Sequence, residues 1–309
     1  MKIALKKFKF KKKEKELPSP LLLKRSKAER VGFTIVFCIF VLYSVSLIFP
    51  FIWVFINSLK GSLEYSAGNT FALPEEWLFS NYKEAFETLT YDDGMTRTTF
   101  LGMIFNSVWY TVLSSVISVF SCSVTGYCLS KYEFRLRKYM YAIAIFCMTI
   151  PIVGTTGAYY KLIGDLGLYD TPMYVVVTSI SAWGFNFLVM YGFFKNVSWT
   201  YAEAAFVDGG GHFLVFFKIM LPLAIGPIVT LLVVSAIGHW NDYMTMLMYV
   251  PSYPTLASGL YSFQATAIRG VNYPIYFAGL LISLIPVLIL FAFCSDIMMS
   301  NMSVGGIKA

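Results

Sequence analysis

A mostly polar stretch at 201–222 interrupts two long apolar runs and carries the residues best suited to specific contact with another protein. Its first part, around Glu203, consists of good helix formers. Three consecutive glycines follow from Gly209 and favour a break, because glycine tolerates almost any backbone turn. A second helix then begins at about His212 and runs into Pro222. The stretch therefore predicts a helix, a sharp turn and a helix, which can project as a knob and transmit force to a docked partner.

Enzyme chemistry has little support in this chain. The sequence contains no Gly-Lys dipeptide, so it has no GxxxxGK[ST] loop to hold nucleotide phosphates. His212 and His239 are the only histidines, too few and too far apart in sequence to indicate a metal cluster. No Ser/His/Asp set has a plausible aqueous setting. We therefore expect no catalytic residue, no metal site and no cofactor in this chain, and energy must come from another chain.

The composition is that of an integral membrane protein. Hydrophobic residues make up 57% of the 309 residues and charged residues 13%, too few charges to cover a soluble globule. A net charge of +7 would indicate nucleic acid in a soluble protein, but 12 of the 24 Lys and Arg residues precede Gly32, ahead of the first apolar run. That placement indicates an anchor on a cytoplasmic membrane face. We expect membrane lipid, and no nucleic acid, as a partner.

Uncharged intervals locate the membrane spans, because a helix needs roughly 17–25 apolar residues to cross the hydrocarbon layer. A further uncharged interval, 243–268, contains Pro251, Pro254 and Gly259 and makes a poor continuous helix. We interpret it as a re-entrant or surface segment facing a transport pathway, because irregular backbone at membrane depth must be covered by protein or water. The sequence thus predicts an all-α integral membrane protein with six transmembrane helices, at 31–59, 98–130, 139–160, 171–194, 219–241 and 270–295.

The distribution of basic residues orients these spans. In the six-span arrangement, 19 Lys and Arg residues fall on one side and 5 on the other, which places both termini and the polar stretch in the cytoplasm. The longest outer loop, between Lys60 and Phe100, carries seven acids, and we expect a solvated face there. The expected organisation is a basic tail at 1–30, a six-helix domain at 31–300 with a coupling loop at 198–218, and a tail at 301–309.

The polar stretch also resembles the EAA loop of binding-protein-dependent ABC importer permeases. The resemblance implies a type I ABC importer permease fold with a cytoplasmic coupling helix. An ordinary cytoplasmic helical hairpin is the alternative. The match covers seven positions in residue type and spacing: Glu203, Ala204, Ala205, Gly209, Ile219, Leu221 and Pro222.

Several further stretches look like carbohydrate-type permeases, the subfamily that includes the smaller permease of the maltose transporter. Those permeases usually carry a polar-basic pair after the last span, whereas this chain has Ser295 and Asp296, so contacts of that pair are in doubt here. The resembling stretches are 71–86, 105–135, 159–171, 238–250 and 303–309.

The resemblance assigns roles within the EAA loop. It implies that the Glu203 carboxylate pairs with a basic group in a cleft of a separate ATPase. Ala204 and Ala205 would keep the helix thin enough to enter that cleft, and Gly209 would make the bend. The alternative for Glu203 is an ordinary exposed side chain. Asp208, just before the bend, either helps to end the first helix or contacts the partner.

A neutral, hydroxyl-rich solute fits the spans better than an ion does. Charge is nearly absent from the six intervals, which argues against an ion-coupled carrier or proton relay. Sugars are held by hydrogen bonds and by stacking on aromatic rings. The alternative for each candidate is ordinary packing in an aromatic-rich membrane protein. Candidates for the substrate pathway near spans four and five are Trp183, Phe185, Asn186, Tyr191, Trp240, Asn241 and Tyr243.

The segment 262–273 precedes the final span on the expected outer face. In the related maltose-type permease the corresponding loop reaches into the opened binding protein, and the resemblance implies the same role here. Gln264, Arg269 and Asn272 are the candidate contacts, and Gly270 lets the backbone turn. The alternative is a solvated connector.

Together, these patterns predict one permease subunit of an ATP-driven importer that moves a sugar across the plasma membrane by alternating access. The resemblance implies three partners: a second homologous permease, an ATPase dimer that holds ATP and Mg²⁺, and an extracytoplasmic solute-binding lipoprotein. The rival interpretation is a stand-alone secondary transporter or channel for a neutral polar solute.

Overall fold

The computed structural model describes residues 26–92, 94, 96–150, 154–266 and 272–303, with the backbone alone for 296–303. Arg269 and Gly270, most of the basic tail and the end of the chain lie outside this part. The chain divides into two compact units, Met1–Trp53 and Val54–Ala309. The described part of the first unit belongs to helix α1, Lys27–Ser58. Its start is closed by a capping box in which the Ser26 hydroxyl accepts from the Glu29 amide at 3.1 Å and the Glu29 carboxylate accepts from the Ser26 amide at 2.8 Å.

The described residues of the second unit are mostly helical and contain one two-stranded antiparallel ladder, Tyr91–Asp92 against Arg97–Thr98. A π-helical segment, Phe216–Met220, lies between α10 and α11. The helices are α2 Ser62–Ser66, α3 Ser80–Thr88, α4 Phe100–Lys131, α5 Arg137–Thr149, α6 Thr156–Asp165, α7 Pro172–Ser179, α8 Phe185–Asn196, α9 Thr200–Val207, α10 His212–Val215, α11 Leu221–Leu223, α12 Ile225–Trp240, α13 Met244–Tyr249, α14 Leu256–Thr266 and α15 Tyr273–Ser303.

Three helices in the described part are long and apolar enough to cross a membrane: α1, α4 and α15. A fourth candidate is the bent pair His212–Leu223 and Ile225–Trp240, whose halves meet at 74°. Side chains from Val31 to Ile52 on α1 are exposed, as expected of a helix that faces lipid or another subunit. These elements coincide with the first, second, fifth and sixth predicted spans and confirm the prediction of a helical membrane protein.

The third and fourth predicted spans each consist of two shorter helices instead of one continuous helix. The first break follows Ile150, whose extended ψ of 116° is typical of a residue that precedes proline. The second break separates α7 from α8 and ends at Gly184, whose φ is +133°. Backbone carbonyls in this second break are satisfied by protein, because Cys122 donates to Ser181 O and the Ser181 hydroxyl donates to Trp183 O. Uncharged length alone did not reveal either break.

The interval 243–268 forms two short helices, α13 and α14, instead of a seventh span. They are separated by a turn at 250–255 that contains Pro251 and Pro254. With 6 and 11 residues, both helices are too short to cross a bilayer. The prediction that this interval is no continuous helix is confirmed.

The segment 59–99 folds into a small lobe on the end of α1. Asn81 donates to the carbonyl oxygens of Ser58 and Lys60 at 2.8 and 2.9 Å. The Lys60 side chain is fully buried, and its ammonium donates to Asn69 O at 2.7 Å. Five of the predicted acids are exposed as expected, but the lobe also has a packed interior that the sequence analysis did not foresee.

The backbones of helices α4 and α8 approach each other closely at Gly126. A Cβ built on Gly126 would lie 2.8 Å from the Tyr191 amide nitrogen and 3.1 Å from Met190 Cβ. Such an approach of two backbones requires a residue without a side chain. The α4–α8 pair also contributes side chains to the cluster in which Ala202 of the polar stretch is buried.

Candidate functional site

The first helix of the polar stretch, α9, ends in a Schellman motif. Asp208 is the C-cap, and Gly209 follows it with a φ of +81°. The Gly209 amide donates to Phe206 O at 3.0 Å and the Gly210 amide donates to Ala205 O at 2.8 Å. These two bonds define the motif and satisfy carbonyls that the helix end would otherwise leave without partners. The predicted break at Gly209 is confirmed.

The three glycines of this turn differ in whether the structure requires a residue without a side chain. Gly209 occupies left-handed backbone space that favours glycine, whereas Gly210 lies too close to the preceding helix for a side chain. A Cβ on Gly210 would lie 2.8 Å from Ala205 O, and a Cβ on Gly211 would meet nothing within 4 Å. Two of the three glycines are therefore fixed by the structure, and the need for Gly210 was not predicted.

One face of α9 is exposed and mixes an acid with apolar groups. Glu203 and Ala204 are both exposed, and Val207 is 88% exposed. Phe213, just after the turn, is 82% exposed. These exposed side chains are available for contact with a partner. We call Glu203, Ala204, Val207, Asp208 and Phe213 the coupling face.

Asp208 does not end α9 with its side chain. The helix is closed by the backbone bonds of Gly209 and Gly210, and no hydrogen bond to the Asp208 carboxylate occurs within the described residues. An acid at a helix C-terminus is also disfavoured by the helix dipole. Of the two alternatives for Asp208, contact with a partner agrees better with this geometry than capping does.

The opposite face of α9 is fixed to the rest of the second unit. Ala202 is fully buried in a cluster that includes Tyr127 of α4, Phe194 of α8 and Met220 of the π-helical segment. Ala205 and Phe206 are half-buried against the same cluster. Burial of this face attaches α9 to a cluster that also contains side chains of α4 and α8.

Four aromatic side chains, which we call the clasp, hold the two helices of the polar stretch together. The Tyr132 hydroxyl and His212 Nδ1 are 2.9 Å apart, which ties the end of α4 to the start of α10. Trp199 packs against Tyr132 at 6.0 Å and against Phe206 at 6.0 Å, and Phe206 packs against His212 at 5.0 Å, all between ring centroids. The sequence analysis missed Tyr132, Trp199 and Phe206, and the concentration of aromatic residues on both sides of the EAA motif is the signal that points to them.

Two basic residues secure the neighbouring connections. Lys131, the last residue of α4, donates from Nζ to Val197 O in the segment that leads into α9. Arg137 donates to Ser130 O at 3.1 Å and fixes the turn between α4 and α5. Both cations use backbone carbonyls that the ends of helices leave available.

The remaining residues of the EAA motif lie after α10, where the chain passes through the π-helical segment into α11. Ile219 belongs to the π-helical segment, and Leu221 and Pro222 begin the short helix α11. A proline at 222 removes a backbone donor and its ring clashes with the carbonyl four residues earlier in an α-helix. The wider π turn before it and the bend at Ala224 accommodate that proline. Ile219 and Leu221 are half-buried, so these positions shape the base of the helix and not the coupling face.

The predicted pathway residues fall into two separate groups. The first group surrounds α8: Trp183 packs on Phe187 at 5.4 Å and Tyr191 packs on Tyr141 at 4.6 Å. Asn186 donates to Ser235 Oγ of α12 at 3.1 Å, which joins the two helices. These contacts agree with the packing alternative for this group.

The second group lines one cavity, whose walls are α12, the turn after it, α14 and α15. Trp240, Asn241 and Tyr243 contribute to its wall, and Gln264 joins them. The cavity has a volume of about 240 Å³ and is open on one side, so it is somewhat smaller than most sites for drug-sized ligands. The structure thus brings three pathway candidates together with one residue that was assigned to a different site.

The candidate binding-protein loop is partly helical. Residues 262–266, including Gln264, form the last turns of α14 and not the start of a loop. Asn272 lies at the start of α15, where its carbonyl accepts from the Tyr276 amide at 3.1 Å. Arg269 lies outside the described residues, so contact of this segment with a binding protein stays a prediction.

The helices form an apolar bundle with interrupted spans. Helix α9 is buried on one face and presents the coupling face on the other. This arrangement is typical of a subunit of a membrane transporter. The chain belongs to the family described as "binding-protein-dependent transport system inner membrane component", whose model matches residues 117–303. The match includes the whole polar stretch and all helices from the second half of α4 to α15. The chain is therefore an importer permease and not a stand-alone carrier.

Curated relatives are permeases of similar size. The diacetylchitobiose uptake system permease protein NgcG of Streptomyces coelicolor is 26% identical over 254 residues, which cover 81% of this chain and 81% of the relative. The arabinooligosaccharides transport system permease protein AraQ of Halalkalibacterium halodurans is 29% identical over 72% of this chain and 80% of the relative. The inner membrane ABC transporter permease protein YcjP of Escherichia coli is 26% identical over 90% and 96%.

A solved structure shares the fold. A chain of a bacterial ABC transporter involved in the import of the acidic polysaccharide alginate superimposes with a TM-score of 0.75 at 22% identity, covering 89% of this chain and 99% of that chain. This likeness confirms the predicted type I permease fold.

Proposed function

We propose that this permease imports a neutral carbohydrate, most simply an oligosaccharide, across the bacterial plasma membrane. Two relatives carry the names of diacetylchitobiose and arabinooligosaccharide systems, and a structural neighbour belongs to an alginate importer. The spans contain few charges, and one cavity is lined by aromatic and amide side chains. Stacking on aromatic rings and hydrogen bonding to hydroxyl groups is the chemistry by which proteins hold sugars.

The coupling face is the observation that carries the proposed mechanism. It exposes Glu203 and two large apolar residues, Val207 and Phe213, while Ala202 on the reverse of α9 is fully buried. The exposed face of such a helix is available to a partner protein, and its buried face attaches it to the rest of the permease. The partner in this proposal is a dimeric ATPase that holds ATP and Mg²⁺, and the Glu203 carboxylate pairs with a basic group in its cleft.

Alternating access follows from this attachment. Closure of the ATPase pair on ATP moves α9 and, through its buried face, α4 and α8. A second, homologous permease makes the corresponding movement, and the pathway between the two opens to an extracytoplasmic solute-binding lipoprotein. Hydrolysis reverses the movement. A chain of a solved alginate transporter in complex with a pentasaccharide-bound periplasmic protein has the same fold at a TM-score of 0.58, which supports a binding-protein partner.

The proposal also includes the orientation of the permease in the membrane. Both chain termini and the coupling face lie in the cytoplasm, and the 59–99 lobe lies outside. The excess of basic residues on the side of the termini and the polar stretch supports this assignment.

Reconstituted transport tests the function. The permease, its partner permease, the ATPase and the binding protein are assembled in proteoliposomes and supplied with ATP and radiolabelled neutral oligosaccharides. The proposal expects ATP-dependent accumulation of at least one of them that requires the binding protein. Accumulation driven by an ion gradient without ATP would contradict it.

A further inference from the structure

The same cavity contains a pair of stacked tyrosines, of which the sequence analysis named Tyr243 but not Tyr261. The rings of Tyr243 and Tyr261 lie 4.4 Å apart between centroids and 22° from parallel. Tyr261 remains 43% exposed, so the stacking uses one side of its ring and leaves area on the other side. A flat aromatic surface at a cavity wall suits the apolar face of a pyranose ring.

Two amide side chains of the same cavity are oriented by the protein. The Tyr276 hydroxyl donates to Gln264 Oε1 at 3.2 Å, which directs the Gln264 Nε2 donors elsewhere. Asn241 donates from Nδ2 to Ile237 O at 2.8 Å, which leaves its Oδ1 as an acceptor. Among the described residues, Gln264 Nε2 has no acceptor and Asn241 Oδ1 has no donor. A donor and an acceptor form the pair that a sugar hydroxyl needs, because a hydroxyl both accepts and donates.

Tyr276 is itself held rigidly. It is 8% exposed and stacks on Phe263 with the rings 12° from parallel. Trp240 has a different role, because its indole N–H already donates to Ser283 O at 3.0 Å. Trp240 therefore provides a fixed wall, whereas Gln264 and Asn241 offer amide groups to a ligand.

We propose that this cavity binds one ring of the transported carbohydrate, with Tyr261 as the stacking surface and Gln264 and Asn241 as hydrogen-bonding groups. The inference rests on the proposed function and deepens it, because it places a substrate site within this subunit. No side chain among the described residues that line the cavity carries a charge at neutral pH. The ring it accepts is therefore a neutral hexose or pentose unit and not a uronate.

Uptake by the reconstituted importer tests the site. The probes are radiolabelled maltotriose, cellotriose, arabinotriose and diacetylchitobiose, and the sugar that the wild type accumulates is used for the variants. Tyr261→Ala and Gln264→Leu should each lower the maximal uptake rate roughly five- to tenfold. The concentration for half-maximal uptake should not change, because the binding protein sets it. Tyr261→Phe, which keeps the ring, should transport nearly as well as wild type.

Tyr160→Ala is the matched control. Tyr160 is also 43% exposed and lies on a short helix, α6, but it does not line the cavity. It should leave the uptake rate within twofold of wild type. Undiminished uptake by both Tyr261→Ala and Gln264→Leu would overturn the site but leave the proposed function intact. Failure of the wild type to accumulate any of the four sugars would contradict the proposed function, and the site with it.

A labelling experiment separates binding from folding. In the assembled importer without native cysteines, Gln264→Cys should react with an impermeant maleimide more slowly when the transported sugar is present. Tyr160→Cys should react at the same rate with and without sugar. Protection should be lost on adding Tyr261→Ala, and equal protection with and without that substitution would overturn the role of Tyr261.

Discussion

Ala202 and Ala204 lie two residues apart on α9 and face opposite surroundings: Ala202 is fully buried, whereas Ala204 is exposed on the coupling face. Ala202 packs among side chains of α4, α8 and the π-helical segment. Alanine therefore allows close packing on the buried side of α9 and presents only a small side chain to a partner on the exposed side.

Leucine at position 202 should affect the stability of the permease, whereas leucine at position 204 should affect its binding to the ATPase. Ala202→Leu adds volume to a packed core and should destabilise the permease by about 1–3 kcal/mol, because overpacking forces neighbouring side chains from their preferred conformations. Ala204→Leu should leave the stability unchanged and instead weaken retention of the ATPase on an affinity-tagged permease. Thermal unfolding and ATPase co-purification measure the two effects. Equal loss of stability in both variants would contradict the assignment of faces.

Gly209→Ala should strain the turn that ends α9. An alanine at a φ of +81° costs about 1–2 kcal/mol, because its Cβ approaches the following carbonyl oxygen. We expect lower uptake with faster amide hydrogen exchange in α9. Gly211→Ala is the matched control, since Gly211 has ordinary backbone geometry and a Cβ there would have open space around it. Similar exchange rates in the two variants would argue against the Schellman turn.

Trp199→Ala should loosen the clasp without preventing membrane insertion. The indole contacts Tyr132 and Phe206, so its loss frees α9 from the end of α4. The expected result is ATP hydrolysis that continues while uptake falls, because the ATPase moves a helix that no longer pulls on α4. Trp77→Ala in the 59–99 lobe controls for loss of a partly exposed indole and should retain coupling. A fully coupled Trp199→Ala importer would show that the clasp is dispensable.

Cysteine labelling in intact cells should establish the orientation. In a background without native cysteines, Phe71→Cys in the 59–99 lobe should react with an impermeant reagent, since Phe71 is 80% exposed. Ser303→Cys at the end of α15 should react only after the membrane is opened. Reaction of Ser303→Cys in intact cells would place the C-terminus outside and require a further crossing.

Much of the architecture was predictable because its signals are local. The glycine run predicted the end of α9, and the uncharged intervals located α1, α4 and α15. Breaks at Ile150 and Gly184 escaped prediction, since hydrophobic length does not report backbone continuity. Pro151 was visible in the sequence and is the signal that should have split the third interval.

The candidate site was predictable only in part, for a different reason. Motif residues on the coupling face stand next to one another in sequence and could be named directly. The clasp and the cavity depend on residues that are not neighbours in sequence, such as Tyr132 with His212 and Tyr243 with Tyr261. Without the fold, nothing distinguished Tyr261 from the other tyrosines of an aromatic-rich chain.

The most direct test of the account is ATPase retention and uptake with Glu203→Ala. Loss of one partner of a buried charged pair should weaken docking by about 2–5 kcal/mol. The account predicts that Glu203→Ala reaches the membrane at wild-type levels, retains little ATPase and imports little sugar. Glu133→Ala, which removes an exposed acid from the turn after α4, should behave as wild type. Wild-type uptake and ATPase retention by Glu203→Ala would contradict the central claim that the coupling face docks on the ATPase.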